Sequence, residues 1–167
     1  MNGELPKQIS ELEQLVQRKN ELLRNFPVIC ISGLNRLEQD DIEGFSKTLD
    51  DRQLLIDKLI GLDDEFRNKF DRLSDEYKKI LDNLMKPEFE NISFPEWCGE
   101  LRKKHAETRQ LINTCRSINE RLNQHALAYK DKIISNMHAV KEREKVSCGY
   151  DMTEKTVKNS TFYLKSD

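Results

Sequence analysis

Between Asp40 and Leu84 the apolar positions recur in alternating steps of three and four residues. Ile42, Phe45, Leu49, Arg52, Ile56, Leu59, Asp63, Phe66, Phe70, Leu73, Tyr77, Ile80 and Leu84 fill thirteen slots, and eleven of them are apolar or aromatic. That spacing keeps one side of a helix apolar over six heptads, so a long helix packed against other helices is expected. Asp40 or Asp41 can open it by accepting first-turn amide hydrogen bonds. Pro87 should close it, because the residue before a proline is pushed out of the helical region. Such a helix spans about 65 Å. The "GLDD" at 61–64 is where it can break or kink, since Gly61 disfavours helix and Asp63 interrupts the seam.

A second long stripe follows "SFPEW". Ser93 is a candidate cap, and Pro95 suits an opening turn in which its missing N–H is not needed. Trp97, Leu101, Ile112, Cys115, Ile118, Leu122, Ala126, Tyr129, Ile133, Met137 and Val140 form the stripe, with His105 and Thr108 in inward slots, and the helix should reach about Lys145. Near the start of the chain, Ile9, Leu12, Val16, Leu22, Leu23 and Phe26 share a helical face. Pro27 interrupts it, after which Val28, Ile31, Leu34 and Leu37 resume a helical spacing past a kink. An extended segment at 28–31 is the weaker reading, because a lone strand has no partner to pair with. The fold class expected is all-α: an elongated antiparallel bundle of three long helices in residues 1–146, with short polar turns near 38–41 and 86–95. Residues 147–167, "SCGYDMTEKTVKNSTFYLKSD", lose the apolar period and read as a flexible C-terminal tail.

Composition narrows the function classes. Charged residues make up 35% of the chain and apolar ones 37%, with 28 basic and 30 acidic residues mixed throughout and a net charge of -2. No basic face of the kind that duplex nucleic acid requires is visible, and no apolar run approaches the roughly 20 residues that cross a bilayer. The first residues lack the pattern of a secretory signal. Cys30, Cys98, Cys115 and Cys148 are scattered without a C-x-x-C pair, which fits reduced thiols in a cytoplasm. His105, His125 and His138 lie too far apart to place two imidazoles on one helical turn. No phosphate loop, zinc-protease or nucleophile-elbow motif occurs. The chain is expected to be no enzyme and to hold no cofactor or metal.

Two polar positions in the stripes have alternative readings. Arg52 can pair with a carboxylate across the bundle, or lay its stem along the seam with its head in water. Asn119 and Asn123 can fix the register of the helices or lie on the surface. Phe66, Phe70 and Tyr77 are expected in the core. Ile133, Ile134, Met137, Val140 and Val146 run past the length the bundle has to cover, and methionine offers an adaptable surface to partner helices. Three of the chain's twelve aromatics, Tyr150, Phe162 and Tyr163, fall in the tail. A segment too polar to fold alone can order on a partner and use such rings as anchors; a frayed terminus is the alternative.

The stretch "DIEGFSKTLDDRQLLIDKLIGLDDEF" at 41–66, a later helix with "INERLNQHALAYKDKI", and "YD" at Tyr150 and Asp151 resemble the FlgN type of bacterial flagellar export chaperone, with the FliT type a close second. The resemblance covers roughly residues 10 to 152. It implies a cytoplasmic protein that keeps hook-filament junction proteins soluble and passes them to the flagellar export gate. It also implies that the C-terminal helix and the segment after it bind the client, and that a tyrosine there, matched by Tyr150, meets the gate. A heptad seam can equally join copies of one chain, so a homo-oligomeric structural coiled-coil adaptor, tightly dimeric and without chaperone activity, is the competing expectation, whereas a monomer or weak homodimer fits the chaperone.

Overall fold

A computed structural model of the chain describes residues 4–86 and 93–163, with side chains described as far as residue 146. Every regular element in these residues is helical: α1 (Glu4–Glu38), α2 (Ile42–Phe70), α3 (Asp75–Met85), a 3₁₀ turn (Glu96–Cys98) and α4 (Gly99–Tyr163). The fold is an all-α bundle. Two compact units divide it, Met1–Gln124 and His125–Asp167.

Within the first unit, α1 and α2 run in opposite directions. Glu11 pairs with Lys69, whereas Lys19, farther along α1, pairs with Asp63. The first part of α4 runs parallel to α1: Lys104 bonds Gln17, Glu107 bonds Asn20 and Arg24, and Cys115 reaches Leu23. An up–down–up arrangement results. Its core clusters Ile9, Leu12, Val16, Leu73, Leu81, Leu84, Cys98 and Leu101. Phe66, Phe70 and Tyr77 pack half-buried against this cluster.

Pro27 does not shift the phase of α1. Leu23, Phe26, Cys30, Leu34 and Leu37 are all buried, a heptad that passes straight through the proline. The expected stripe Val28–Ile31–Leu34–Leu37 is therefore right only in its second half, and Val28 and Ile31 face solvent. Proline lacks the N–H that would bond the carbonyl four residues earlier, here that of Leu23. The buried Cys115 thiol supplies a replacement donor, 3.4 Å from Leu23 O. A neighbouring helix thus satisfies the group that the proline leaves open, and the helix continues.

The long helix expected over 40–84 is two helices. Gly61 lies inside α2, where an added Cβ would meet nothing within 4 Å. The break comes instead at Asp71–Ser74, where Arg72 N–H bonds Lys69 O and Leu73 N–H bonds Phe70 O, closing the helix with a tight three-residue turn. Ser74 is extended and starts α3, with Asp75 and Glu76 in its first turn. The Ser74 side chain makes no capping bond, so the turn is held by its backbone bonds, and Leu73 buries itself in it. The seam also sits off the expected register. The buried α2 residues are Leu55 and Leu62, each one position before Ile56 and Asp63, so Asp63 lies at the exposed edge of the stripe and pairs with Lys19.

Asp41 caps α2: its carboxylate accepts from Gly44 N–H at 2.9 Å and pairs with Arg36 at 2.6 Å. These contacts hold its pKa below the usual aspartate value, the Gly44 amide contributing most. Asp40, in the turn before it, takes a left-handed conformation with φ 56°, which aspartate tolerates better than most residues. α3 ends at Met85, before Pro87, as expected. α4 begins after the 3₁₀ turn and its helical backbone continues to Tyr163, into the segment 147–167 expected as a tail. No proline occurs after Pro95 to stop it.

Candidate partner-binding surface

α1 and α4 are locked in register by a buried polar layer. Asn20 is fully buried; its Nδ2 donates to Lys104 O at 3.0 Å and Glu107 Oε2 at 3.2 Å, and its Oδ1 lies 2.6 Å from the Thr108 hydroxyl. Burying an amide costs free energy unless its bonds are made, so only the register that completes this set is favoured. In the sequence Asn20 is inconspicuous, because it fills a gap between Val16 and Leu23 in an otherwise apolar face. Arg52 donates to Asn119 Oδ1 at 2.8 Å, linking α2 to α4. Its head is therefore engaged within the bundle, by an amide rather than a carboxylate. Asn119 joins helices, whereas Asn123 is exposed.

His105 packs edge-on against Phe66, ring centroids 5.7 Å apart. Its Nε2 is shut off from solvent with no hydrogen-bond partner among the described residues. Burial, with Lys19 and Arg109 adding to it and Asp63 opposing, lowers its pKa from 6.5 to about 4. Burial raises the pKa of the Cys30, Cys98 and Cys115 thiols, which leaves them poor nucleophiles. Among the described residues no group of three or more His, Cys, Asp or Glu is placed to hold a metal ion.

The second unit has a different character. Every described side chain from Asp131 to Val146 is exposed. Ile133 and Ile134 are each 41% exposed, Val140 53% and Met137 55%. At about 100° per residue, these four lie within about 60° of the Met137 direction, so the structure brings them onto one face. Val146, nine residues beyond Met137, points to the opposite side of the helix by the same geometry and does not belong to the set. Leu127, 60% exposed, is a further apolar residue of this unit outside the expected set. It stands one heptad before Ile134, and that spacing was the available signal. Ile133, Met137 and Val140, with Asn136, Lys141 and Glu144, line a shallow groove along this face. Tyr129 stands a heptad before Asn136 and is half-buried, with Lys132 Nζ 6.0 Å from its ring centroid. The Tyr150, Phe162 and Tyr163 side chains lie outside the described residues, as does the end of the chain from 164.

Among the described residues no helix is long and apolar enough to cross a membrane. Compared with known protein families, curated proteins and solved structures, the chain matches none of them.

Proposed function

We propose that the chain is a cytoplasmic, non-enzymatic chaperone that captures an aggregation-prone helical client on the C-terminal part of α4. The observation that carries this reading is the single apolar face of Ile133, Ile134, Met137 and Val140, exposed between 41% and 55%. Scattered apolar side chains are ordinary on a protein surface, but four on one helical face with charged edges suit an amphipathic partner helix. Methionine at the centre lets the face adapt to more than one client.

The sequence resemblance to the FlgN type supplies the client class: hook-filament junction proteins, held soluble and delivered to the flagellar export gate, with Tyr150 meeting that gate. The test is capture of purified junction proteins by the full chain, by the double variant Ile133→Asp/Met137→Asp, and by Tyr150→Ala. The double variant should keep the melting temperature of the parent and lose capture by at least roughly tenfold, because two buried apolar contacts are each replaced by a charge. Tyr150→Ala should keep capture and lose gate binding. Undiminished capture by the folded double variant would overturn the reading.

A further inference from the structure

His105 lines a cavity of about 140 Å³ inside the first unit. Leu15 and Val16 from α1, Leu62 and Phe66 from α2 and Met85 from α3 form its apolar wall. Four helices meet there, so a molecule held in the cavity would touch each of them. Among the described residues, His105 Nε2 is the one buried side-chain nitrogen or oxygen without a hydrogen-bond partner. Lys19 and Asp63 complete the lining, and their partly exposed ion pair marks the side nearest solvent. A pair of this kind is weak, so it can part to admit a ligand.

Water suits this space poorly. A buried water needs about two to four polar partners. Nε2 is one, but the Thr108 proton is already committed, its Oγ1 lying 2.6 Å from Asn20 Oδ1 and 2.8 Å from Lys104 O. One water takes up only about 30 Å³, and further waters would lie against apolar side chains with nothing to bond. An apolar cavity of about 150 Å³ admits a benzene ring, so a single aromatic ring matches the volume. A charged ligand is disfavoured, because the Lys19 ammonium already has Asp63 as its partner and the rest of the wall offers no counter-charge. One hydroxyl completes the match: it donates to an unprotonated Nε2 or accepts from a protonated one, so it serves either imidazole tautomer. We infer that this cavity is a binding site for a small neutral aromatic alcohol, its ring against Leu15, Val16, Leu62, Phe66 and Met85 and its hydroxyl on His105 Nε2. The inference is independent of the client reading, which rests on residues of the second unit. A ligand that binds only the folded chain stabilises it by mass action, so the stability of the first unit would follow the ligand's concentration.

Phenol, benzene and benzoate are the probes, titrated into the full chain with isotope-labelled methyl groups and followed by nuclear magnetic resonance. Phenol should shift the Leu15, Val16, Leu62 and Met85 methyl signals saturably, with a Kd of roughly 0.1–1 mM, the range open to so small a ligand. Its ring protons should show Overhauser contacts to the same methyl groups, and benzoate should produce neither effect. His105→Leu keeps the wall apolar and removes the hydrogen-bonding atom. It should weaken phenol binding at least roughly tenfold, because a buried hydroxyl left unpaired is costly, while holding benzene within about twofold of the parent. Circular dichroism melting shows whether the variant is folded; if it is not, the Overhauser contacts in the parent decide. No saturable shift up to about 10 mM phenol would overturn the inference and leave the cavity to water alone. Contacts to other methyl groups, or benzoate bound as tightly as phenol, would overturn it as well. So would a folded His105→Leu chain that keeps phenol at the parental Kd, or one that loses benzene equally, since the ring would then be a wall and not a hydrogen-bonding partner.

Discussion

His105 and the Cys115–Pro27 pair show how much one side chain can decide. The folded state holds the His105 imidazole neutral down to a pKa of about 4, while the unfolded chain takes up a proton near 6.5. Above pH 6.5 neither state is charged, and stability is insensitive to this group. Between about 6.5 and 4 the unfolded state binds the extra proton, so stability falls as pH falls, and it levels off below 4. The expected loss is on the order of 3 kcal/mol. His105→Leu should flatten that part of the profile in urea titrations run across the range. An unchanged slope would mean that the ring is not held neutral. Cys115 calls for a double-mutant cycle with Pro27. Cys115→Ala leaves the buried Leu23 carbonyl without its thiol donor, a loss of about 1–3 kcal/mol together with a small cavity. Pro27→Ala restores an N–H for the same carbonyl. The cost of Cys115→Ala should therefore shrink measurably in the Pro27→Ala background, and strict additivity would remove the proposed link.

At the scale of the elements, two glycines in helices should respond to alanine with opposite signs. A Cβ at Gly61 meets open space, so Gly61→Ala should stabilise α2 by about 0.5–1 kcal/mol through helix propensity alone. Gly33 sits where α1, α2 and α4 converge. A Cβ there would stand 3.0 Å from Thr48 Oγ1 and 3.4 Å from Leu122 Cδ1. The Thr48 hydroxyl is tied to Phe45 O at 2.6 Å and has little freedom to retreat, so Gly33→Ala should cost about 1–3 kcal/mol by overpacking. Denaturant midpoints at constant slope give both signs. The break between α2 and α3 belongs to this scale as well. Sequence pointed to Gly61, but a glycine on the open side of a helix costs only a fraction of the packing that α2 gains by continuing. The chain turns instead at Asp71–Ser74, where Leu73 finds burial.

At the scale of the whole molecule, the two units differ in what supports them. Met1–Gln124 has a buried core and an interhelical polar layer, whereas the described side chains from 131 to 146 are all exposed. Helices owe most of their stability to tertiary packing of an apolar face, so the first unit does not draw its stability from that exposed segment. This is why the Ile133→Asp/Met137→Asp variant is expected to melt like the parent while losing its partner.

The sequence by itself determined that the chain is all-α, where α2 opens, that α3 stops before Pro87, and which residues line the inner face of α4 as far as Leu122. Helical period, caps and prolines are local properties, and they are written in residues a few positions apart. It also brought together Ile133, Ile134, Met137 and Val140, because a shared helical face follows from spacing alone. Only the tertiary structure decided that Asn20 is a core residue, that Arg52 donates to Asn119, that Pro27 is tolerated because Cys115 reaches the Leu23 carbonyl, and that Leu55 and Leu62 outrank the expected seam. Each of these depends on which atom of a distant helix arrives at a given place. A buried polar group or an unpaired carbonyl is stable or costly according to that arrival, and no spacing within one helix encodes it.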